Sequence, residues 1–406
     1  MNDTPQQTIV IIGAGHAGGQ AAASLRQNGF DGDIIVLGDE NYLPYQRPPL
    51  SKKYLSGAEN LERLYLRSGD FYETKKISVR TGITVREIDR ATHRLVTDGG
   101  GTISYDKLLL ATGGRPRRLQ IPGATLDGIF YLRTIDDVDR IRAALPTVRN
   151  LCVIGGGYIG LEVAAQCRAM DINVTVLEME ERLLHRVTTP ELSQFYHQLH
   201  TSNGVRIELG TSATGFSGEQ SVSSVMAGDR SFAADLVIVG IGILPNVELA
   251  QNAGLECNNG IVVNAHCQTS DHAIYAAGDC TNHPNPILQR RMRLESVPNA
   301  MEQAKVAAAN LLNKNVIHDS VPWFWSDQYE LKLQMVGFAA DGDQHILRGS
   351  MANRQFAVFH LKDNRIVGVD AVGRPRDFMM GRKLYGMEVD PTILADETTD
   401  LKSLGK

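Results

Sequence analysis

The chain has 406 residues, 43% hydrophobic and 21% charged, which suits an ordinary globular protein with room for two or three domains. A formal net charge of −5 argues against general nucleic-acid binding, and no apolar run approaches the ~18 residues of a membrane helix. The five cysteines (Cys152, Cys167, Cys257, Cys267 and Cys280) are odd in number and contain no CxxC, which argues against a disulfide framework, a zinc ribbon or a protein-borne iron–sulfur cluster.

Small buried thiols in a reducing cytoplasm fit this pattern, and no metal site is expected. The opening MNDTPQQ is polar and runs straight into a strand, with no signal-peptide pattern.

Residues 10–25, VIIGAGHAGGQAAASL, read as an apolar strand, a glycine turn and a small-residue helix. Gly13 allows the tight turn, Gly15 lets the backbone approach a pyrophosphate, and Gly18 lets helix and strand pack closely. The helix N-terminus offers N–H groups and a positive dipole end to phosphates. The next strand, IIVLGDE, ends at Asp39 and Glu40, where a carboxylate can accept from ribose hydroxyls; a solvated turn is the alternative.

In NYLPYQRPPLSKKYL, Pro44, Pro48 and Pro49 forbid a regular element until residue 50, and a helix is expected to begin over 50–55. This segment delivers Arg47, Lys52 and Lys53, either along an anionic cofactor or as mere spacing. Residues 79–110 read as short strands. KLLLATGGRP is a buried strand ending in Thr112, Gly113 and Gly114, a turn that can approach a ligand closely. Arg133, in FYLRT, is a cofactor contact or a surface arginine.

The opening pattern then returns. LCVIGGGYIGLEVAAQ repeats strand, turn and helix with Gly155, Gly157 and Gly160 in register, and INVTVLE ends at Glu178. DLVIVGIGILPN mirrors LLLATGG and closes the second unit. NGIVVN and IYAAGDC follow as strands, and a proline-started, alanine-rich helix covers 298–312. After PWFWSDQYE, four alternating segments predict an antiparallel sheet, and the tail from residue 377 is partly helical.

Two dinucleotide units in one chain point to electron movement between two bound dinucleotides: a fixed flavin in the first and an exchanging nicotinamide in the second. Asp279 ends a strand where a carboxylate can bind ribityl hydroxyls. The helix that LESVPNA begins can aim its N-terminus, with the Val297 N–H, at the flavin pyrimidine edge; such a dipole contributes roughly 0.3–1 kcal/mol. Glu178 at the adenosine ribose favours NADH over NADPH, although Arg182 lies close enough in sequence to swing toward a phosphate. A Lys52–Glu162 ion pair beside flavin N5 would clamp the transfer geometry. The alternative is an unrelated surface lysine and a glutamate in the helix's first turn.

The series GAGHAG, LPYQRPPLSK, LLLATGGRP, FYLRT, VIGGGYIGLE, GIGILPN, AAGDC, LESVPNA and PWFWSDQYE resembles the oxygenase-coupled NADH:ferredoxin reductase family over nearly the whole chain. The resemblance implies an α/β fold of glutathione-reductase type with two Rossmann-like domains and a C-terminal α+β domain with an antiparallel sheet. The FAD domain would be 1–114 and 243–322, the NAD domain 115–242 and the C-terminal domain 323–406. It implies non-covalent FAD, NADH as donor, and a [2Fe–2S] ferredoxin that supplies a cytochrome P450 or a Rieske oxygenase.

Carried over by position, Ala17, Asp39, Lys52, Val85, Arg133, Asp279 and Val297 would contact FAD with the Gly13–Gly15–Gly18 turn, Thr112 and Gly113. Gly155, Gly157, Tyr158, Ile159, Gly160, Glu162, Glu178, Gly242 and Glu295 would line the NADH side, and Trp325 would sit near the flavin facing the ferredoxin. Lys52, Glu162, Glu295 and Trp325 would act in catalysis.

His16 occupies a variable place in the first turn, and HPNPILQRRMR varies among such proteins. Docking of an acidic ferredoxin needs a local basic face, for which Arg290, Arg291 and Arg293, with Arg63 and Arg67, are candidates. Disulfide reductases of this fold need a cysteine pair near the flavin, and peroxidases a single early cysteine; no cysteine precedes Cys152. An NADH oxidase or quinone-type reductase without a protein partner, and an apoptosis-inducing-factor-like flavoprotein, are the remaining readings.

Overall fold

The strand Thr8–Ile12 is apolar on both faces, so it belongs inside a sheet covered on both sides. The computed structural model describes residues 7–405 and places it so. The polar residues 1–6 lie outside the described residues. Two compact units emerge: Met1–Arg47, Leu61–Arg115 and Ile243–Ser320 form the first, and Pro48–Asn60, Pro116–Gly242 and Val321–Lys406 the second.

The first unit is built on a five-stranded parallel sheet in the order Ile274–Ala276, Lys107–Leu110, Thr8–Ile12, Asp33–Leu37, Ile77–Arg80. Ile9 and Ile11 point to one face with Ala21, Ala22, Ala304, Ala307 and Ala308. Small side chains there let the helices His16–Gln27 and Val297–Leu311 pack closely on each other. Val10 and Ile12 point to the other face, with Leu108, Leu110 and Ile274.

His283 and His318 lie in this unit as an edge-to-face pair with ring centroids 5.0 Å apart. Both are buried, and neither ring nitrogen of either residue has a hydrogen-bond partner among the described residues. Burial pushes His283 down to about 3, with His318 and Arg291 adding to the shift. The unfolded chain takes up a proton near pH 6.5 and the folded one does not, so stability falls as pH drops below 6.5. For His283 alone the loss by pH 5 is about 2 kcal/mol. Urea unfolding at pH 7 and pH 5 measures it, and His283→Phe is expected to narrow the difference between the two.

The second unit repeats the sheet: Arg206–Glu208, Asn173–Leu177, Asn150–Ile154, Leu236–Val239, Ile129–Tyr131, all parallel. Its C-terminal part is a five-stranded antiparallel sheet in the order Trp323–Gln328, Leu331–Gly337, Arg365–Val372, Gln355–Lys362, Gln344–Ser350. The aromatic segment PWFWSDQYE therefore supplies a strand beyond the four expected. Buried Arg348 donates to the carbonyls of Leu394, Asp396 and Thr399 and ties down the tail.

The helix expected over 50–55 does not form. Pro48–Ser51 is a single 3-10 turn followed by further turns. Adjacent prolines remove two donors, and the Lys52 and Tyr54 N–H groups both turn back to the Pro49 carbonyl. Among the described residues no helix is long and apolar enough to cross a membrane.

Candidate functional site

In the first unit the chain leaves Ile12 and turns at Gly13, whose φ of +112° and crowding against the Ala111 carbonyl exclude any side chain. A Cβ at Gly18 would collide with the Gly13 carbonyl, so helix and turn are in contact. At Gly15, by contrast, a Cβ would meet nothing within 4 Å. Gly15 is the N-cap of His16–Gln27, and no side chain caps the helix. With no side-chain cap on the helix and room beside Gly15, this N-terminus has the form that a dinucleotide pyrophosphate needs.

Around this turn, Ala17 is buried beside Gly278, next to Asp279. Thr112 Oγ donates to the Asn246 carbonyl at 2.7 Å and Asn246 Nδ2 returns a bond to the Thr112 carbonyl, so these groups pin the Gly113 turn. Val297 opens its helix; its N–H has no acceptor within the helix, while Ser296 Oγ accepts from Asn299 N. Val85 begins the strand Val85–Asp89, which with Arg94–Thr97 and Thr102–Ser104 forms a three-stranded antiparallel sheet. Asp39 is exposed. Arg47, one of the proposed cofactor cations, is bound to Glu40 at 2.6 Å and to Tyr45 Oη at 2.8 Å. Burial pulls its pKa down, but Tyr45, Glu40 and Asp279 outweigh that and raise it.

The second unit repeats the turn. Gly155 has φ of +108° against the Gly240 carbonyl, and Gly157 caps Tyr158–Ala169 with open space around it. Gly242, with φ of +97°, is also unobstructed.

Glu178 is 8% exposed and accepts from Gly156 N at 2.6 Å and Glu180 N at 2.8 Å. Each oxygen keeps a lone pair for a ribose hydroxyl. Arg182 donates to Thr188 O, Ser193 Oγ and His185 O, which holds it against its own loop and the helix Pro190–Ser202. The two acidic positions are not equivalent. Glu178 directly follows Leu177, whose carbonyl accepts from Gly155 N; the residue so placed after Leu37 is Gly38, and Asp39 comes one later.

Glu162 lies in the second turn of its helix, not the first, and is 3% exposed. Lys52 Nζ lies 2.7 Å from Glu162 Oε2 and donates also to the Pro48 carbonyl at 3.2 Å. Ser51 Oγ reaches Glu162 Oε2 at 2.6 Å, and Ser326 Oγ reaches Oε1 at 2.7 Å. Neither serine was read from the sequence. Ser51 is separated from Glu162 by 111 positions and Ser326 by 164, so no local pattern could show them.

Tyr158 is committed to packing. Its hydroxyl contacts Met335 Sδ and its ring lies on Phe324. Ile159 is 44% exposed beside the turn. Arg133 is half-buried and precedes a capping box in which Thr134 and Asp137 bind each other's backbone. The Trp325 ring lies 5.6 Å from Trp323 and 6.3 Å from Phe324 in the aromatic strand. Glu295 is exposed and paired with Arg293. That pairing neutralises one candidate docking arginine, and Arg291 donates to the carbonyls of Val263 and Asn282.

Residues 7–304 match the pyridine nucleotide-disulphide oxidoreductase family, and residues 323–405 match a reductase C-terminal domain. The chain belongs to the pyridine nucleotide-disulphide oxidoreductase family. It is 44% identical to putidaredoxin reductase of Pseudomonas putida, covering 98% of this chain and 96% of that one. It is 43% identical to rhodocoxin reductase of Rhodococcus erythropolis, covering 97% and 93%. Among solved structures, the ferredoxin reductase for the CYP199A2 system of Rhodopseudomonas palustris superimposes with a TM-score of 0.96 at 41% identity, covering 98% of this chain and all of that one. The covalent putidaredoxin reductase–putidaredoxin complex gives 0.94 at 44%, covering 98% of each chain.

The family takes its name from disulphide chemistry, yet all five cysteines here are unpaired thiols and the first is Cys152. Burial raises every one of them, Cys152, Cys167 and Cys267 to about 12. They are poor thiolates.

Proposed function

We propose that the chain is an FAD-dependent NADH:ferredoxin oxidoreductase that supplies single electrons to a [2Fe–2S] ferredoxin, and through it a cytochrome P450 or a Rieske oxygenase. The observation that carries this reading is the pair of glycine turns, each leading into a helix that no side chain caps and whose capping glycine has room beside it, in a chain similar throughout to ferredoxin reductases of such systems. The flavin supplies the conversion between a two-electron hydride donor and a one-electron acceptor.

The protein's own residues bind and orient. The N–H groups after Gly15 hold the FAD pyrophosphate, with Ala17, Asp39, Val85, Thr112, Gly113, Arg133 and Asp279 along the cofactor. Val297 N–H and its helix dipole favour negative charge on the reduced ring. The N–H groups after Gly157, with Ile159, Gly160 and Gly242, hold the NADH pyrophosphate, and Glu178 selects the unphosphorylated ribose. Lys52, held by Glu162, fixes the hydride geometry. Trp325 and Glu295 serve the acceptor and donor sides. FAD would occupy 1–114 and 243–322 and NADH 115–242, with 323–406 as the C-terminal domain, all within the cytoplasm.

The test is cytochrome c reduction with NADH, with and without a panel of [2Fe–2S] ferredoxins. Stimulation by a ferredoxin is expected; rapid oxygen or quinone turnover that no ferredoxin increases would overturn the reading. Arg63, Arg67, Arg290, Arg291 and Arg293 are the docking candidates, of which Arg293 is paired with Glu295. Raising ionic strength from 0.01 to 0.15 M shortens the screening length from roughly 30 to 8 Å. The ferredoxin-dependent rate is expected to fall severalfold while ferricyanide reduction changes little. Equal loss in both assays would remove the electrostatic docking face.

A further inference from the structure

The Lys52–Glu162 pair is one end of a longer buried chain of hydrogen bonds. Glu162 Oε2 takes Lys52 and Ser51, and Oε1 takes Ser326 Oγ at 2.7 Å. Ser326 Oγ in turn accepts from Gln328 Nε2 at 3.2 Å. Gln328 Oε1 lies 2.8 Å from His200 Nε2, and His200 Nδ1 lies 3.3 Å from the Tyr329 hydroxyl. Glu162, Ser326, Gln328 and His200 are all buried, the last three completely.

The donor inventory sets one direction along this chain. A carboxylate only accepts, so Ser326 must donate to Glu162 and accept from the Gln328 amide. The Gln328 oxygen then needs a proton on His200 Nε2, which leaves Nδ1 as acceptor for Tyr329. Burial holds His200 down to about 4, so its ring is neutral as this direction requires. Every donor points toward Glu162. The amide at Gln328 cannot pass a proton on as a hydroxyl or imidazole does, so the chain fixes geometry and does not conduct protons.

Ser326 also joins two parts of the reading above. It follows Trp325 on the strand Trp323–Gln328, and successive side chains on a strand point to opposite faces. The residue that turns away from Trp325 is therefore the one that holds Glu162.

We propose that Ser326 is a positioning residue that fixes Glu162, and through it Lys52, with Gln328 and His200 holding the Ser326 hydroxyl in its donating orientation. The proposal rests on the reading of Lys52 and Glu162 as the pair that serves the flavin. Without Ser326 the Oε1 atom loses its donor, the carboxylate is free to turn, and the ammonium that follows it loses its fixed place. A loss of alignment slows transfer more than it weakens binding.

The test uses the full FAD-loaded chain. In stopped-flow reduction by NADH, Ser326→Ala is expected to lower the limiting rate about tenfold with little change in the half-saturating NADH concentration. Ser326→Cys, close in shape and a weak donor, is expected to fall between the two. Thermal unfolding gives a readout apart from activity: the drop in Tm from Ser326→Ala should be much smaller when Glu162 is already alanine. Parental rates in Ser326→Ala, or additive Tm changes, overturn the proposal while a slowed Lys52→Ala leaves its premise standing. A parental rate in Lys52→Ala overturns both.

Discussion

Lys52→Ala is expected to slow reduction of the bound flavin by NADH about a hundredfold, the scale of loss that misalignment of reacting groups produces. Lys52 and Glu162 are nearly closed to solvent, with side chains 14% and 4% exposed, so their 2.7 Å contact is only weakly screened. Removing the lysine leaves a buried carboxylate without its counter-charge. Such a change typically costs about 3–5 kcal/mol. Ser51 and Ser326 still donate to Glu162, which places the stability loss toward the lower end. The single-turnover rate, followed by bleaching of the flavin absorbance, checks the prediction; thermal unfolding of the same sample separates lost alignment from lost fold. Lys52→Met keeps the aliphatic stem and should lose the same rate with better packing. An unchanged rate in both variants would remove Lys52 from the transfer geometry.

Glu178→Arg is expected to change the NADH-to-NADPH preference about a hundredfold or more, mostly through loss of NADH kcat/KM. Glu178 both offers acceptors to a ribose and holds its own turn. Its carboxylate takes the Gly156 and Glu180 N–H groups, and a cation there would face two donors. Each charged hydrogen bond lost is worth about 1.5–3 kcal/mol, so Glu178→Arg should also lower Tm. Glu178→Gln keeps one good acceptor oxygen, removes the repulsion toward a 2′-phosphate, and separates the two effects. Arg182 contributes little to phosphate binding while its three bonds hold it against its loop and the helix Pro190–Ser202. Steady-state kcat/KM for both coenzymes, with ferricyanide as acceptor, is the measurement. An unchanged ratio would take Glu178 out of the ribose site.

Much of this architecture is legible without coordinates because its signals are local. The strand, the turn at Gly13 and the small-residue helix are contiguous, and each step has its own steric reason. Their return at Gly155 makes the repeat visible. The proline segment announces its irregularity, although the expected helix over 50–55 fails because the Lys52 and Tyr54 N–H groups both turn back to the Pro49 carbonyl. The aromatic strand Trp323–Gln328 escapes because WFWSDQ lacks an alternating apolar and polar pattern. Its pairing with Leu331–Gly337 makes it a strand. The one-residue offset between Asp39 and Glu178 needed the backbone register, since both sequences simply end in acidic residues.

The opening stretch by itself determined that a dinucleotide pyrophosphate could be held at Gly13–Gly18, and its repeat determined that a second could be held at Gly155–Gly160. Composition and the missing early cysteine removed the thiol chemistries. These conclusions depend on bonded neighbours and on residue types, which a chain displays along its length. Only the tertiary structure decided what surrounds Glu162: a lysine and a serine from 110 and 111 positions away and a serine 164 positions onward, meeting on two oxygens. A buried carboxylate takes its donors from whichever elements packing brings to it, and that packing is a property of the whole fold.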